Sequence, residues 1–534
     1  MLNWDHIFAT RSSRMRASEI RELLKLLERP DIISFAGGIP DPALFPDQEF
    51  KAAYAEIFSG DQVTSALQYS VSEGYRPLRE WLKGEMEKIG IACTADNIFI
   101  TSGSQQALDY LGKLFLSPKD TALVSWPTYL GALQAFNAYE PNYDQLTLGN
   151  RTPESYKTAA EKLGGEVKFA YLSADFCNPT GETVDRAGRE RLLKLAEELD
   201  IAIIEDAAYQ SLRYDGEAVP PILALEIAEK GSIEDTRTIY CGSFSKTLAP
   251  GLRVGFVVAN MPVIRKLVLM KQAADLHSSS INQIAIAHVA ERHFDAQVAK
   301  IRAAYSARRN AMLKALATYM PTGTTWTKPE GGMFIWVTLP EGLDGAELLA
   351  RSVETEKVAF VPGQAFFADR SGANTLRLSF SCANEEMIDE GIKRLGRLIS
   401  GAMAAAACGL SLRHDGTHRT IRTAATPVAA VSLCARVRVV GAGRQDEPAR
   451  DVDRLEEGGI VAHHEERAVI GAKPGLDRLD RLDVEMVGRL VEDQQGRRCG
   501  TADDTGKSGA QPLATGERRD RLQGGIGAKH EAGE

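Results

Sequence analysis

The 534-residue sequence lacks several features that define other classes of protein. No apolar run approaches the length of about 18 residues that a membrane helix needs, and the N-terminus has no apolar secretory core, so we expect a cytoplasmic protein without membrane spans. Seven cysteines occur without any CxxC pair, which argues against a disulfide framework or a zinc site. The net charge of −9 predicts no nucleic-acid partner.

Aromatic residues are absent after Phe380, although they make up 7% of the whole chain. From about residue 404 the sequence is rich first in alanine and then in arginine, glycine and aspartate, without helical or strand periodicity. A segment without large apolar side chains does not readily offset its ordering entropy. We therefore expect 404–534 to be a disordered, non-catalytic extension without a metal site. Its composition also resembles a GC-rich gene translated in a wrong frame.

The first 403 residues alternate between apolar runs and amphipathic segments, as in an α/β protein. This alternation predicts a largely parallel sheet covered on both faces by helices, among them helices over 104–115 and 190–199. The predicted strands are 98–103, 122–127, 168–176, 201–206, 238–243 and 253–259. A smaller α+β domain is then predicted, from helices over 298–319 and 345–354 and strands at 331–340, 358–363 and 375–380.

The segment TIYCGSFSKTLAPGLRVGF, over 238–256, carries the strongest chemical signal. It places Ser243, Ser245, Lys246 and Arg253 on loops between two predicted strands. Hydroxyls and an arginine can hold a phosphate, and a lysine amine can react with an aldehyde. Taken alone, the segment is equally consistent with a solvated serine-rich loop.

Other predicted strands end in residues that suit further parts of pyridoxal 5′-phosphate (PLP). Ser104 and Gln105 open a helix whose N-terminus can bind a phosphate dianion, and the segment WPTY over 126–129 offers a flat side chain for stacking. Taken singly, Ser104 and Gln105 could merely cap a helix, and the aromatic side chain of 126–129 could merely pack in a core. Ligands of parallel sheets bind at the carboxyl ends of the strands, where all these residues fall.

Two more strand ends complete the pattern. Asn178, in the turn NPTG, can donate to a phenolate oxygen, although the turn has a structural role of its own. Asp206 ends an apolar strand, with Tyr209 three residues on. A buried carboxylate needs a cation, which a protonated pyridine nitrogen or an arginine could supply. Five such features in this order predict a PLP site.

These motifs resemble fold-type I PLP-dependent aminotransferases of class I/II, particularly the 2-aminoadipate/kynurenine aminotransferase group. The resemblance covers about residues 5–400. It is carried by segments that include SFAGGIPDPALFP (34–46), LQYSVSEGYRPLRE (67–80), TSGSQQALD (101–109), NPTG (178–181), EDAAY (205–209), GSFSKTLAPGLRVGF (242–256) and NTLRLSF (374–380).

The resemblance implies a domain plan and a role for each matched position. An N-terminal arm and helix would occupy 1–50, the large PLP-binding domain 51–295, the small α+β domain 296–403 and the extension 404–534. Lys246 would form the aldimine and move the proton, Asp206 would pair with the pyridine nitrogen, and Tyr129 would stack on the ring. Tyr209 and Asn178 would bond the ring hydroxyl. The implied phosphate ligands are Ser104, Gln105, Ser243, Ser245 and Arg253, joined by Tyr69 from the other subunit of a homodimer.

The resemblance also implies a substrate site and a reaction. Arg377 would bind the α-carboxylate, with Asn178 and Tyr69 nearby. Ser18 and Arg21 would contact the distal end of the substrate, and Gly37 and Gly38 would line the pocket. The amino group of 2-aminoadipate, or of a leucine-like or aromatic L-amino acid, would pass to a 2-oxo acid such as 2-oxoglutarate, by way of pyridoxamine phosphate.

Three alternatives remain at this level. Another fold-type I PLP reaction, by a racemase, lyase or decarboxylase, would use the same cofactor residues. An aminotransferase-like regulator would need a DNA-binding domain, for which the roughly 30 residues before the SFAGG motif are too few. A catalytically idle relative would not need Lys246, Asp206, Asn178 and Arg253 together.

Overall fold

The computed structural model describes residues 4–15, 29–149, 151–407, 411–415 and 418–422. These belong to the first of two compact units, Met1–Ala462; the second, His463–Glu534, lies outside the described residues. The strands are β1 Ile33–Ser34, β2 Ile98–Thr101, β3 Thr121–Val124, β4 Asn142–Gln145, β5 Val167–Leu172, β6 Ala202–Asp206, β7 Thr238–Ser243, β8 Gly255–Val258, β9 Thr325–Trp326, β10 Phe334–Thr338, β11 Val358–Ala359, β12 Val361–Pro362, β13 Thr375–Ser379, β14 Ser411–Asp415 and β15 His418–Arg422. The α-helices are α1 Asp47–Ser59, α2 Val63–Leu67, α3 Arg76–Lys88, α4 Ser104–Phe115, α5 Leu130–Asn137, α6 Pro153–Lys162, α7 Arg186–Leu199, α8 Ile222–Lys230, α9 Met261–Ala274, α10 Ser280–Tyr319, α11 Gly345–Arg351 and α12 Glu385–Ala407.

Seven strands form the large sheet, in the order β2-β8-β7-β6-β5-β3-β4. Neighbouring strands are parallel except around β8, which runs antiparallel to both β2 and β7. The predicted, largely parallel sheet is therefore confirmed. Strand β4 is not predicted from the sequence, because its residues Asn-Tyr-Asp-Gln are polar and this edge strand is only partly buried.

Helices cover both faces of this sheet. Because successive strand residues point to opposite sides, Ile239 packs in one core with α4 and α5, whereas Tyr240 packs in another with α3 and α8. The predicted helix over 104–115 is α4, and its Leu108 and Leu111 are fully buried. Burying one such leucine contributes about 1.5–3 kcal/mol to folding, so this face holds α4 against the sheet.

A second, antiparallel sheet has the order β12-β13-β10-β9. It packs with α12 and with the C-terminal part of α10 around a core that includes Phe334, Leu376 and Ile392. The N-terminal segment joins this core through Phe35, and β1 pairs in parallel with β11. The residues just after β1 are thereby brought to β13.

Helix α10 is longer than sequence analysis predicts. It begins at Ser280 rather than near Val298 and runs for 40 residues. Its first turns are buried on several sides against α1, α2 and α3, so no amphipathic stripe marks them. The predicted domain boundary at 295/296 falls inside this continuous helix, and the division into domains stays a prediction.

Only a small part of the predicted extension 404–534 is described. It comprises the end of α12 and an antiparallel pair, β14 with β15, and the remainder lies outside the described residues. Among the described helices, none is both long enough and apolar enough to cross a membrane.

Candidate active site

The carboxyl ends of β5, β6 and β7 converge at one edge of the large sheet. Asn178 lies in the loop after β5, Asp206 is the last residue of β6, and Lys246 follows β7. Parallel strands place such ends side by side, which is why ligands of α/β proteins bind there. The side chains of Phe244 and Leu248 are buried in the core below and anchor the loop that carries Lys246.

Asp206 is a buried carboxylate with specific donors. The hydroxyl of Tyr171 donates to Oδ2 at 2.8 Å, and the backbone N–H of Ala208 donates to Oδ1 at 3.3 Å. Burial raises the pKa of Asp206, while these two hydrogen bonds and the charge of Lys246 act in the opposite direction. These contacts support the anion, and no described residue forms a close ion pair with it, so the position suits a protonated ring nitrogen.

Lys246 lies in a partly buried position beneath the N-terminal segment. Its Nζ donates to the backbone carbonyl of Gly38 at 2.9 Å and lies 5.7 Å from the ring centre of Tyr209. Burial first, and then the charges of Arg377 and Arg253, lower the pKa of Lys246 to about 8. About one-tenth of a lysine with that pKa is neutral at pH 7, against about 0.03% at a pKa of 10.5. The amine is therefore poised to act as a nucleophile and a base.

Arg377 projects from β13 and is almost fully buried. One terminal nitrogen donates to Oδ1 of Asn178 at 2.7 Å, and the other donates to the carbonyl of Ala36 at 2.8 Å. The guanidinium carbon lies 4.3 Å from the ring centre of Phe334 and 5.0 Å from that of Phe366. Burial lowers the pKa of Arg377 to about 10.

One donor of Arg377 is left over. Its Nε is buried and has no hydrogen-bond partner among the described residues. An unsatisfied donor on a buried cation is unfavourable, and a bound carboxylate would relieve this cost. Asn178 links Arg377 to Tyr209, because its Nδ2 donates to the hydroxyl of Tyr209 at 3.5 Å.

The N-terminus of α4 faces Arg253. Gly103 precedes the helix with a φ of 83°, and a Cβ added to it would lie 2.4 Å from a nitrogen of the Arg253 guanidinium. A Cβ on Gly255 would lie 2.7 Å from the backbone nitrogen of Ser104. Only glycines allow this close approach. The first backbone N–H groups of a helix have no partner within it, so this end of α4 and Arg253 together suit a dianion.

The remaining predicted cofactor residues surround this position. Ser243 Oγ accepts the backbone N–H of Ser245 at 3.1 Å, and the side-chain amide of Gln105 donates to the carbonyl of Gly131 at 2.7 Å. Tyr129 is partly buried, and burial followed by the charge of Asp206 raises the pKa of its hydroxyl.

The donor set fits PLP. It offers a reactive amine, a carboxylate for the ring nitrogen, an amide–phenol pair for the ring hydroxyl, and a glycine-lined helix N-terminus with an arginine for the phosphate. The amine is that of Lys246, and the carboxylate is that of Asp206. Asn178 and Tyr209 form the amide–phenol pair, and Ser104 opens the helix that faces Arg253. No group of His, Cys, Asp and Glu in the described part of the chain could hold a metal ion.

Of four further residues predicted for the substrate site or the interface, the structure describes two. A Cβ on Gly38 would lie 3.2 Å from the Phe334 ring and 3.7 Å from Arg377, so the backbone passes directly over this part of the site. Tyr69 is 79% exposed and packs edge-on to His277. Ser18 and Arg21 lie outside the described residues.

Sequence reasoning misses several residues of this site. Tyr171 looks like an ordinary core aromatic in an apolar strand, Phe334 belongs to a run that predicts a buried strand, and Phe366 follows a predicted strand without any chemical signal of its own. The carbonyl of Ala36 carries no side-chain signal at all. None of these residues is near its partner in sequence, so no local pattern could have identified them.

Fold and site together define a PLP-dependent enzyme of fold type I. The family model for aminotransferase class I and II matches residues 32–395. The chain belongs to this family and is a PLP-dependent aminotransferase.

Relatives support this assignment over most of the chain. Aromatic-amino-acid aminotransferase 1 of Thermococcus litoralis is 45% identical over 412 residues, which cover 75% of this chain and 96% of the relative. LysN, the α-aminoadipate aminotransferase of Thermus thermophilus crystallised with N-(5'-phosphopyridoxyl)-L-leucine, is 40% identical, with a TM-score of 0.67 and coverage of 76% and 100%. The kynurenine aminotransferase of Pyrococcus horikoshii, crystallised with PMP, is 43% identical, with a TM-score of 0.69 and coverage of 75% and 98%.

Proposed function

We propose that this aminotransferase moves the amino group of 2-aminoadipate, or of a leucine-like or aromatic L-amino acid, to a 2-oxo acid such as 2-oxoglutarate. The observation that carries the proposal is the buried guanidinium of Arg377, whose Nε has no hydrogen-bond partner among the described residues. Burial first, and then the charge of this guanidinium, lower the pKa of the Lys246 amine. The guanidinium supplies a carboxylate site close to a reactive amine. The names of the relatives, which act on aromatic amino acids, α-aminoadipate and kynurenine, support this range of donors.

Each cofactor residue has a proposed part. Lys246 would form the covalent link to PLP, Asp206 would pair with the ring nitrogen, Tyr129 would stack on the ring, and Tyr209 and Asn178 would bond the ring hydroxyl. The phosphate ligands would be Ser104, Gln105, Ser243, Ser245 and Arg253. When bound, PLP withdraws electrons from the bonds of the substrate α-carbon.

Lys246 then acts as the proton carrier. With a substrate held at the cofactor, the neutral Nζ of Lys246 would accept the proton of the α-carbon and carry it as an ammonium group. This role needs the neutral amine, which a pKa of about 8 makes available near neutral pH. The carbonyl of Gly38, which accepts a hydrogen bond from Nζ at 2.9 Å, gives the freed amine a defined position.

Arg377 orients the substrate for this transfer. Two parallel hydrogen bonds from its guanidinium to the α-carboxylate would fix the α-carbon relative to Lys246. The rings of Phe334 and Phe366 hold the guanidinium in place. For Ser18 and Arg21, which lie outside the described residues, contact with the distal end of the substrate rests on the resemblance alone.

We further infer a homodimer in which Tyr69 of the second copy completes the phosphate site. Leu67, Tyr69 and Val71 are 70%, 79% and 56% exposed, which is unusual for three apolar side chains so close in sequence. A second copy would cover them. A cytoplasmic location stays a prediction.

The test follows single half-reactions on the full-length enzyme with its cofactor. L-2-Aminoadipate, L-leucine or an aromatic amino acid is added alone, and the visible absorption band of the bound cofactor is recorded together with the 2-oxo acid released. We expect loss of the band with one 2-oxo acid formed per site, and recovery of the band on addition of 2-oxoglutarate. Racemised or decarboxylated product without 2-oxo acid would contradict the proposal. Lys246→Ala is the control, in which addition of an amino acid should release no measurable 2-oxo acid on the same time scale.

A further inference from the structure

A polar cluster lies directly behind the N-terminus of α4, outside the residues assigned above. It consists of Ser102, Gln106, Lys271 and Asp275 and is called the α4 cluster below. Lys271, near the end of α9, has no exposed surface. Burying an ammonium group is costly unless it is paired and hydrogen-bonded, so its position here calls for an explanation.

Hydrogen bonds close the α4 cluster on itself. Nζ of Lys271 donates to Oε1 of Gln106 at 2.8 Å and lies 3.0 and 3.1 Å from the two carboxylate oxygens of Asp275. Nε2 of Gln106 donates to Oδ2 of Asp275 at 2.7 Å. Asp275 also accepts from the hydroxyl of Ser102 at 3.3 Å and from that of Tyr110 at 3.4 Å. Hydrogen bonds therefore hold both the oxygen and the nitrogen of the Gln106 amide.

The held side chain fixes the turn that opens α4. Oε1 of Gln106 accepts the backbone N–H of Ser102 at 2.8 Å, across Gly103. Gly103 has a φ of 83°, and glycine alone imposes little restraint on such a turn because its backbone is free to adopt many conformations. The restraint comes from Gln106, in the manner of a capping box in which a side chain of the first helical turn reaches back to the preceding backbone.

The Lys271–Asp275 ion pair also indicates whether the α4 cluster acts on the anion site by charge or by geometry. The positive charge of Lys271 is matched by Asp275, so the pair adds little net charge to the anion site. Its effect is exerted through geometry, by setting the direction of the backbone N–H groups of Ser104 and Gln105. We infer that Gln106, Lys271 and Asp275 are positioning residues that shape the phosphate-binding end of the PLP site. This inference rests on the proposed placement of the phosphate at the N-terminus of α4.

The experiment compares PLP with pyridoxal, which lacks the phosphate. Full-length enzyme stripped of cofactor is titrated with each compound, and the visible absorption band of the bound compound gives its dissociation constant. Loss of a helix cap typically corresponds to about a fivefold change in an equilibrium constant. We therefore expect Gln106→Leu and Lys271→Met each to weaken PLP about fivefold and to leave the affinity for pyridoxal within about twofold. Lys266→Met, on an exposed position of the same helix, is the matched control and should change neither constant.

The outcomes separate the possible failures. Equal weakening of PLP and pyridoxal, or a lower unfolding midpoint with an unchanged ratio of the two constants, would show that the α4 cluster serves stability only and would overturn the inference. A wild-type enzyme that binds pyridoxal as tightly as PLP would instead refute the proposed phosphate site. If Lys271→Met does not fold, Gln106→Leu decides, because it leaves the Lys271–Asp275 ion pair intact.

Discussion

The hydrogen bond from Tyr171 to Asp206 offers a quantitative test of the site. Tyr171→Phe removes one oxygen and keeps the ring, which packs in the sheet core. The lost bond is a buried one to a charged acceptor, at 2.8 Å. Hydrogen bonds to charged groups contribute about 1.5–3 kcal/mol, so we expect the cofactor-free variant to lose about that much free energy of unfolding at neutral pH.

The sign of the pH dependence follows from the pKa of Asp206. Burial raises this pKa above its value in the unfolded chain. On acidification, the carboxyl therefore takes up a proton in the native state before it does so in the unfolded state. Above the raised pKa the carboxylate is charged in both the native and the unfolded state. Loss of the Tyr171 hydrogen bond then lowers the free energy of unfolding by its full amount. As the pH falls through the raised pKa, the native carboxyl becomes neutral and the difference between wild type and variant should shrink.

The assay is urea unfolding of the cofactor-free protein, repeated as the pH is lowered from neutral towards the ordinary aspartate pKa of about 3.9. Tyr156→Phe is the matched control, because Tyr156 is also fully buried and its hydroxyl bonds Thr147 and the carbonyl of Gln145 beside the Arg151 guanidinium, none of which changes its charge in this pH range. We expect a loss of about 1 kcal/mol for that variant, independent of pH. A pH-independent loss in Tyr171→Phe would refute the view that its hydroxyl stabilises an anionic Asp206.

Three further predictions concern activity. Lys246→Ala should lower the rate of amino-group transfer by at least about 10²–10⁴-fold in rapid-mixing experiments, and in the wild type that rate should rise with pH through the lysine pKa of about 8; a rate independent of pH would contradict the proposed base. Arg377→Lys keeps the charge but loses the two-pronged geometry, so kcat/KM for amino acids should fall about 100-fold or more, while an unchanged cofactor spectrum confirms that the PLP site is intact. Arg21→Ala should reduce kcat/KM for 2-aminoadipate far more than for leucine, and equal losses would remove Arg21 from the account of specificity.

Sequence reasoning succeeded where the determining interactions are local. Helix α4 has its predicted bounds because polar residues open it and an apolar stripe of leucines follows at helical spacing. The parallel sheet follows from alternating apolar runs, and the order of motifs at strand ends identifies the cofactor. Strand β4 is not predicted because its residues are polar and only partly buried at the edge of the sheet. The first turns of α10 are not predicted because their burial depends on neighbours that are distant in sequence.

The chemistry of the individual groups depended on the tertiary structure. Tyr171 and Asp206 are 35 residues apart, and Arg377 and Ala36 are 341 apart, so no sequence pattern predicts their hydrogen bonds. The same holds for the α4 cluster, which joins residues 165 to 173 positions apart.

By itself, then, the sequence determined the fold class, the family resemblance and the kind of cofactor. These are expressed in residue type and spacing, which are properties of short segments. Only the tertiary structure decided that Lys246 has a pKa of about 8, that Arg377 keeps an unsatisfied donor and that Gln106 restrains the phosphate end. Burial and the distances between charges set these properties, and both arise when segments far apart in the chain pack against one another.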